Sequence, residues 1–206
     1  MKIVKPSVEL LWITQNPELE IEKAGRTCYK SEGRMTPESS GEFCKMMKDR
    51  GHHAMVEHAV ASFKIITDRG ISHEIARHRI ASFAQESTRY CNYSADKFGG
   101  EITVILPPGP SDEDGYRAWF GNWFASCRSA ERNYFAMLKA GCSPQIARSV
   151  LPTCLKTEIV MTTNFRSWLN FIYLRSSMSA HPQIRPIAIE INNILADHAP
   201  SIFEKM

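Results

Sequence analysis

The strand-forming and helix-forming segments of this chain alternate at irregular intervals, and this order limits the fold more than any other feature. Four β-rich segments are predicted, and they lie far apart: 8–14, 59–67, 102–106 and 157–163. Helix signals lie between them, such as the Thr36-Pro37 start and the Gly51 stop. Because there is no regular β-α-β period and no internal repeat, the sequence predicts an α+β fold with a single domain over residues 1–206.

Further helices are predicted from their start and stop signals. One begins near Ile71 and carries His73 to Arg79, and a long one runs from about Asp112 to Ala140, where Gly141 ends it. The last two are predicted over residues 164–175 and 182–198.

Length and composition exclude several classes of protein. With 206 residues, 43% hydrophobic and 23% charged, the chain can bury a core without disulfide or metal staples. Its six cysteines are scattered and form no C-x-x-C pair, so we expect neither a disulfide framework nor a metal site. No apolar run is long enough to span a membrane and the N-terminus lacks a signal-peptide pattern, so we expect a cytoplasmic protein with no membrane partner.

The kind of positive charge says more than its amount. A net charge of +3 does not by itself indicate a nucleic-acid or membrane-surface protein. The segment from Arg77 to Arg89, however, holds three arginines and no lysine. Arginine binds phosphates and planar oxyanions through a rigid fork of donors, so this segment is a candidate anion site.

The histidines of the same region do not suit a metal. In His73-Glu74-Ile75-Ala76-Arg77-His78 the two histidines are five residues apart. On a helix they point about 140° away from each other, whereas zinc ligands spaced four apart share a face. Surface or hydrogen-bonded histidines are the better interpretation.

Nucleophilic catalysis by Ser87 is a second candidate. The G-x-S-x-G turn of serine hydrolases is absent, and Ser87 and Thr88 stand between Glu86 and Arg89. Such a setting favours binding an anion over attacking a carbonyl. The hydrolase reading stays open as a weak alternative.

On the predicted helix, Arg77 and Arg79 diverge and could hold two different anionic groups. A solvated basic face is the simpler alternative by composition. Because Ser87, Arg89, Tyr90 and Tyr93 follow closely, a second alternative is a nucleic-acid-binding module over segment 77–93, with tyrosines stacking on bases.

The helix over residues 164–175 combines polar and apolar faces. Arg166 and Asn170 are four residues apart and share a face, beside an apolar stripe that includes Phe165 and Ile172. This composition suits a heterocycle with its phosphates, and polar decoration of an amphipathic helix explains it equally well.

The run from Arg77 to Tyr90, RHRIASFAQESTRY, is similar to the R-H-R-x7-S signature of the flavin-dependent thymidylate synthases. Three further stretches resemble parts of the same family: Gly51-His52 with Glu57-His58, Ala147-Arg148 before Val150-Leu151-Pro152, and Asn164-x-Arg166 with Asn170 and Leu174-Arg175. The resemblance covers about residues 24 to 190.

The resemblance implies methylation of deoxyuridylate (dUMP) to thymidylate (dTMP). The carbon donor is methylenetetrahydrofolate and the hydride comes from FAD reduced by NADPH, so dUMP, folate and NADPH are the expected partners. We expect a mostly antiparallel sheet flanked by helices, a homotetramer with sites shared between subunits, and no metal or nucleic acid.

The resemblance also assigns residues. Arg175 is the expected catalytic residue, contacting the uracil and stabilising its negative charge. The expected dUMP site comprises Glu74, Arg77, Gln85, Glu86, Ser87, Thr88, Arg89, Arg148 and Arg175, with Ser87 and Arg89 reaching in from a neighbouring subunit. The expected FAD site comprises His52, Ala54, Arg77, His78, Arg79, Gln85, Asn164, Arg166 and Asn170. We therefore expect six arginines to converge in space: Arg77, Arg79, Arg89, Arg148, Arg166 and Arg175.

The sequence departs from the commonest family pattern at four places. Ala84-Gln85 replaces Asn-Glu, so a carboxylate near the flavin is absent or comes from Glu86. Ala54 replaces a hydroxyl, Glu74 replaces a frequent Gln, and the stretch 179–183 differs. None of these departures touches an arginine.

Overall fold

The computed structural model describes residues 1–109 and 113–206. Six strands and eight α-helices lie in that part of the chain. In order they are β1 (Lys2–Val4), β2 (Ser7–Ile13), α1 (Pro17–Tyr29), α2 (Ser39–Asp49), α3 (His53–Val56), β3 (Val60–Asp68), α4 (Arg69–Ile75), β4 (Ser82–Gln85), β5 (Thr103–Ile105), α5 (Glu113–Lys139), α6 (Pro144–Ala147), β6 (Lys156–Asn164), α7 (Phe165–Ser176) and α8 (Ile184–His198).

The four predicted strands are confirmed as β2, β3, β5 and β6. The short strands β1 and β4 were not predicted. The long helix is confirmed as α5, although Asp112, its predicted first residue, lies outside the described residues. Gly51 takes a positive φ of 70° directly after α2, a conformation that favours glycine and ends the helix.

The helix expected to carry His73 to Arg79 is shorter than predicted. It begins after Asp68, whose Oδ1 accepts from the backbone N–H of Ile71 at 2.7 Å, and it ends at Ile75. The chain then turns and enters β4 at Ser82, so Arg77 and Arg79 lie in irregular backbone. The helical geometry assumed for these two arginines is therefore wrong.

The strands form a four-stranded sheet and a separate pair. The sheet has the order β2-β3-β6-β4. Ala59 O accepts from Phe165 N, and Ser62 Oγ meets Thr162 Oγ1 at 2.8 Å, so β3 and β6 are antiparallel. Strands β1 and β5 pair in parallel, with Ile3 opposite Val104. The predicted α+β class, with an antiparallel sheet and helices, is confirmed.

The chain divides into two compact units, and the first comprises residues 1–7, 66–75 and 85–159. Apolar side chains from β5, α5 and the segment before β6 form its core: Ile102, Val104, Cys127, Tyr134 and Leu155. The Tyr134 hydroxyl also accepts from the backbone N–H of Tyr93 at 3.4 Å. This contact ties the segment that follows Arg89 to the core of the unit.

The second unit comprises residues 8–65, 76–84 and 160–206. Its helix α7 buries Phe165, Trp168, Phe171 and Ile172, and the Trp168 indole donates to Ala61 O at 3.2 Å. These contacts fix α7 on β3 and leave the opposite face of the helix exposed. The expectation of one domain over residues 1–206 stays a prediction.

Candidate active site

A cleft of about 660 Å³ lies along the exposed face of α7 in the second unit. We call it the α7 cleft. Its lining combines cationic, amide and apolar side chains: His53, Glu57, Arg79, Ile80, Asn164, Arg166, Ser167, Leu169, Asn170 and Tyr173. Four residues expected at the cofactor site, Arg79, Asn164, Arg166 and Asn170, thus lie together.

The join between β6 and α7 places the polar side chains of the cleft. Asn164 ends the strand and caps the helix, because its Oδ1 accepts from the backbone N–H of Ser167 at 2.9 Å. That bond engages the Oδ1 of Asn164, whose side chain also lines the cleft. Arg166, Asn170 and Tyr173 follow at spacings of four and three residues and therefore share one face of α7.

Glu57 orients Arg166 in this cleft. The carboxylate of Glu57 accepts from Nη1 of Arg166 at 2.5 Å, with 40% and 55% of the two side chains exposed. Since both partners are more than one-third exposed, solvent screens this pair and its contribution to stability is small. Its structural effect is to hold the guanidinium toward the residues after Gly51.

The segment after α4 supplies the opposite wall of the cleft. Ile80 is 81% exposed, and its carbonyl oxygen accepts from the Thr163 hydroxyl. Tyr173, on α7, is 77% exposed. Large apolar side chains this exposed indicate a surface that a ligand or another chain covers.

Arg175 pairs with a buried, neutral histidine. Its Nε donates to Nε2 of His78 at 2.9 Å, and the His78 ring lies edge-on to Phe171. Burial first, and then the charge of Arg175, lower the pKa of His78 from 6.5 to about 4. His78 is therefore uncharged at neutral pH, with its proton on Nδ1, and accepts from the guanidinium.

Four further residues of the expected cofactor site lie in the same unit but not in the lining of the α7 cleft. His52 precedes α3 and Ala54 lies within it, and both are exposed. Arg77 is exposed in the turn after α4. His78 itself is almost fully buried, so it reaches a ligand only through Arg175 or by a ring edge.

In the first unit, the segment that follows β4 is held from beneath by a polar network. The carboxylate of Glu86 accepts from the Tyr93 hydroxyl and from Lys156 Nζ, both at 3.2 Å. Although burial alone lowers the pKa of Lys156, bonding to Glu158 and Glu86 raises it above its usual value. Burial and the Glu86 carboxylate raise the pKa of Tyr93, so its hydroxyl stays a donor.

Gln85, the last residue of β4, belongs to the same polar network. Its Nε2 donates to Ser72 Oγ at 2.7 Å and to Thr157 Oγ1 at 3.2 Å. Arg69 donates to Thr157 Oγ1 at 3.3 Å and to the Glu86 carbonyl at 3.0 Å. Side-chain bonds therefore fix both residues that precede Ser87.

Hydroxyls and guanidiniums lie above this network. Arg148 Nη1 donates to the hydroxyl of the buried Thr88 at 3.1 Å, and Ser87 Oγ accepts from the Arg89 backbone N–H at 3.3 Å. The Arg89 guanidinium lies over the Tyr90 ring, 5.3 Å from its centroid. Arg89 and Arg148 are exposed, and Glu74 is half-buried in the last turn of α4.

The structure brings some of the six arginines together within each unit. Arg79 and Arg166 line the same cleft, and Arg148 is bonded to the residue next to Arg89. Convergence of all six stays a prediction. Among the described residues, no three His, Cys, Asp or Glu side chains are grouped so that they could hold a metal ion. None of the helices in residues 1–109 and 113–206 is both long and apolar enough to cross a membrane.

Sequence reasoning assigned no site role to six residues of the cleft lining: His53, Glu57, Ile80, Ser167, Leu169 and Tyr173. Tyr173 could have been found, because it follows Asn170 by three residues on the same helix face. Glu57 lies 109 residues from its partner Arg166, and no local pattern reports such a pairing.

The chain is similar to known proteins along most of its length. The family described as "Thymidylate synthase complementing protein" matches residues 9–201. A protein of Mycobacterium avium named "Flavin-dependent thymidylate synthase" is 35% identical over 198 residues, covering 89% of this chain and 77% of that protein. A protein of the same name from Geobacter sulfurreducens is 32% identical over 203 residues, covering 95% and 84%.

Proposed function

The chain belongs to the flavin-dependent thymidylate synthases, and we propose that it methylates dUMP with methylenetetrahydrofolate as carbon donor and FAD, reduced by NADPH, as hydride source. Membership of the family makes it an enzyme, a methyltransferase of nucleotide biosynthesis that forms dTMP. The observation that carries the finer proposal is the α7 cleft, where Arg79 and Arg166 lie beside Asn164 and Asn170.

The donor set of the cleft suits a flavin dinucleotide. Two guanidiniums match a diphosphate, and two amides match the polar edge of a heterocycle. Ile80, Leu169 and Tyr173 offer an apolar wall for a planar ring. His52, Ala54, Arg77, His78 and Gln85 complete the proposed flavin site. The bound flavin supplies the hydride, while the protein binds, orients and excludes water.

The segment after β4 is proposed to hold dUMP. Arg89 and Arg148 are exposed cations next to the hydroxyls of Ser87 and Thr88, which is the chemistry that a phosphate dianion requires. Arg77 and Glu74 are proposed as further nucleotide contacts. The Glu86 carboxylate already has two donors, so its proposed part is to hold the segment in place.

Arg175 is proposed to stabilise negative charge on the uracil ring. A cation fixed in advance costs no reorganisation when that charge develops. The bond from Arg175 Nε to neutral His78 supports this role, because it fixes one side of the guanidinium in advance.

A homotetramer in the cytoplasm, with sites shared between subunits, completes the proposal. The exposed apolar side chains in and next to the α7 cleft support assembly, since Ile80, Tyr173 and Met178 are 77–84% exposed. A neighbouring copy that covered them would also close the cleft to water.

The nucleic-acid-binding alternative is not supported by the family membership. One of the two tyrosines that it needs for base stacking, Tyr93, is buried and donates its hydroxyl to Glu86. Only Tyr90, of that pair, presents an exposed ring.

Flavin binding tests the proposal directly. The purified protein, incubated with FAD and then desalted, should be yellow and retain one flavin per chain. Replacing Arg79 and Arg166 with alanine together should remove this absorbance, whereas replacing the exposed Arg132 should not. A folded protein that stays colourless after incubation would contradict the proposal.

A further inference from the structure

A partly buried ion pair lies beneath the proposed phosphate segment. Glu86 is only 14% exposed, and its two oxygens have different partners, Oε1 with the Tyr93 hydroxyl and Oε2 with Lys156 Nζ. Lys156 also bonds Glu158 at 2.5 Å. Glu86 therefore cannot turn toward solvent without breaking two bonds, and Lys156 is the group that neutralises it.

The backbone of residue 86 is held as firmly as its side chain. Its N–H donates to Glu158 O at 2.9 Å and its carbonyl accepts from Arg69 at 3.0 Å. Residues 87 to 89, the proposed phosphate ligands, follow directly. Any change in the position of Glu86 is therefore passed to their backbone.

We propose that Lys156 is a positioning residue for the nucleotide phosphate, acting through Glu86 on residues 87–89. This inference rests on the proposed function. A charge in a largely buried setting is unfavourable without its partner, so removing Lys156 leaves Glu86 to move toward water or take up a proton. Either response displaces the segment that carries Ser87 and Arg89.

The effect of Lys156 should be confined to the phosphate. In Lys156→Met, which keeps the length of the side chain, we expect the KM for dUMP to rise about tenfold while kcat changes less than about threefold. Binding of deoxyuridine, which has no phosphate, should change little, so the ratio of dUMP to deoxyuridine affinity falls. A purely structural role would weaken both ligands alike.

Exchanging the charges of Glu86 and Lys156 distinguishes an effect on the position of residues 87–89 from an effect on the stability of the fold. Glu86→Lys alone and Lys156→Glu alone should each weaken dUMP binding, and the double variant, which restores an opposite pair, should recover part of it. Lys139→Met, an exposed lysine in the same unit, is the matched control and should bind dUMP as the wild type does.

Two results for the Lys156→Met variant would overturn the inference. In the first, the variant binds dUMP as tightly as the wild type does. In the second, its affinities for dUMP and for deoxyuridine fall by the same factor. Wild-type protein that binds no dUMP at all would instead contradict the proposed function. If Lys156→Met does not fold, the charge-swapped double variant supplies the same comparison.

A separate observation concerns two cysteines in the core of the first unit. Cys127, on α5, is buried, and its Sγ lies 3.4 Å from Sγ of the half-buried Cys154. Burial, followed by the contact with Cys154, raises the pKa of Cys127 to about 12, and burial also raises that of Cys154. At neutral pH both groups are therefore thiols, so their oxidation is slow and needs an excess of oxidant.

We infer that Cys127 and Cys154 form a modification site that a peroxide converts to an intramolecular disulfide. Hydrogen peroxide oxidises the more accessible Cys154 to a sulfenic acid and releases one water. The Cys127 sulfur then attacks the Cys154 sulfur, the S–O bond breaks and a second water leaves. Two thiols and one peroxide thus give one disulfide and two waters.

Peptide mass spectrometry tests this site. After peroxide treatment and digestion without reductant, the peptides of Cys127 and Cys154 should be linked, with two hydrogens lost, and dithiothreitol should separate them. Cys127→Ser should abolish the link and Cys142→Ser, in the same core, should keep it. Unlinked Cys127 and Cys154 under conditions that oxidise the exposed Cys28 would overturn the inference.

Discussion

The two compact units present their proposed functional groups in opposite ways. In the second unit, the α7 cleft takes its lining from segments far apart in sequence, around residues 53–57, 79–80 and 164–173. In the first unit, one continuous run, residues 85–89, carries most of the groups, and hydrogen bonds hold it from below. The positions of the cleft residues therefore depend on tertiary contacts between distant segments. Residues 85–89 are adjacent in sequence, and hydrogen bonds beneath them fix their positions.

This difference predicts which substitutions should affect flavin binding and which should affect nucleotide binding. In the cleft, the arginines themselves are exposed, and we propose that they contact the flavin directly. Within the run, Glu86 is only 14% exposed and bonds to Lys156 and Tyr93, so its proposed effect on the nucleotide passes through the backbone. We therefore expect separable effects on flavin and nucleotide.

The largest effect is expected for Arg175. Arg175→Ala should lower kcat about 10²–10³-fold, because it removes a preorganised cation from the developing charge. Flavin absorbance should persist, and Arg175→Lys should recover part of the rate. Turnover of Arg175→Ala within a few-fold of the wild type would show that Arg175 does not serve the reaction.

A reciprocal pair of variants tests whether the α7 cleft and the run of residues 85–89 with Arg148 serve different ligands. Arg166→Ala should weaken FAD retention at least about tenfold and leave the dUMP KM unchanged at saturating FAD. Arg148→Ala should raise the dUMP KM by a similar factor and leave FAD retention intact. If each variant weakens both ligands equally, the assignment of flavin to the α7 cleft and of the nucleotide phosphate to residues 87–89 and Arg148 fails.

The His78–Arg175 pair makes a pH-dependent contribution to the stability of the second unit. Because the pKa of His78 is about 4 in the folded chain and 6.5 as an ordinary value, the unfolded chain binds the proton first as pH falls. Stability should therefore decrease between pH 6.5 and 4, by up to about 3 kcal/mol.

Chemical denaturation at several pH values checks this contribution. His78→Gln keeps an oxygen acceptor for Arg175 but does not titrate, so its stability should vary less across the same range. Equal pH slopes for the wild type and His78→Gln would contradict the assignment of this effect to His78.

The smallest effect is expected for Glu57. Since the pair with Arg166 is well exposed, Glu57→Gln should change the free energy of unfolding by less than about 1 kcal/mol. FAD affinity should change by no more than about threefold, as judged by fluorescence titration. A large loss of stability would mean that Glu57 supports the fold and does more than orient Arg166.

Sequence patterns predicted the elements with strong local signals. The strands β3 and β6 are rich in β-branched residues, and the polar face of α7 follows from the spacing of Arg166 and Asn170. Short elements without such signals were missed: β1 has three residues and β4 has four. Their pairing partners lie far away in the chain, so tertiary contacts define them.

The C-terminal end of helix α4 also could not be predicted from local sequence patterns. The residues up to Arg79 are compatible with a helix, and the sequence predicted one, but the helix ends at Ile75. The burial of His78 against Phe171 and its bond with Arg175 require the chain to leave the helix. These partners are more than ninety residues away, so only the fold reveals this end.

The residues of the motif could be identified from the sequence, but the side chains that they bond to in the structure could not. Glu86 was considered as a carboxylate for the flavin, and its carboxylate instead bonds Lys156 and Tyr93. Lys156 lies 70 residues from Glu86 and carries no motif of its own. An ion pair between residues so far apart in sequence can be identified only when the pairing of the strands is known.

Release of tritium from dUMP labelled at C5 tests the proposed chemistry most directly. With FAD, NADPH and methylenetetrahydrofolate, the protein should release tritium and form dTMP in equal amounts, and omission of FAD from flavin-free protein should stop both. Flavin-loaded protein that binds dUMP yet releases no tritium and forms no dTMP would contradict the proposed function.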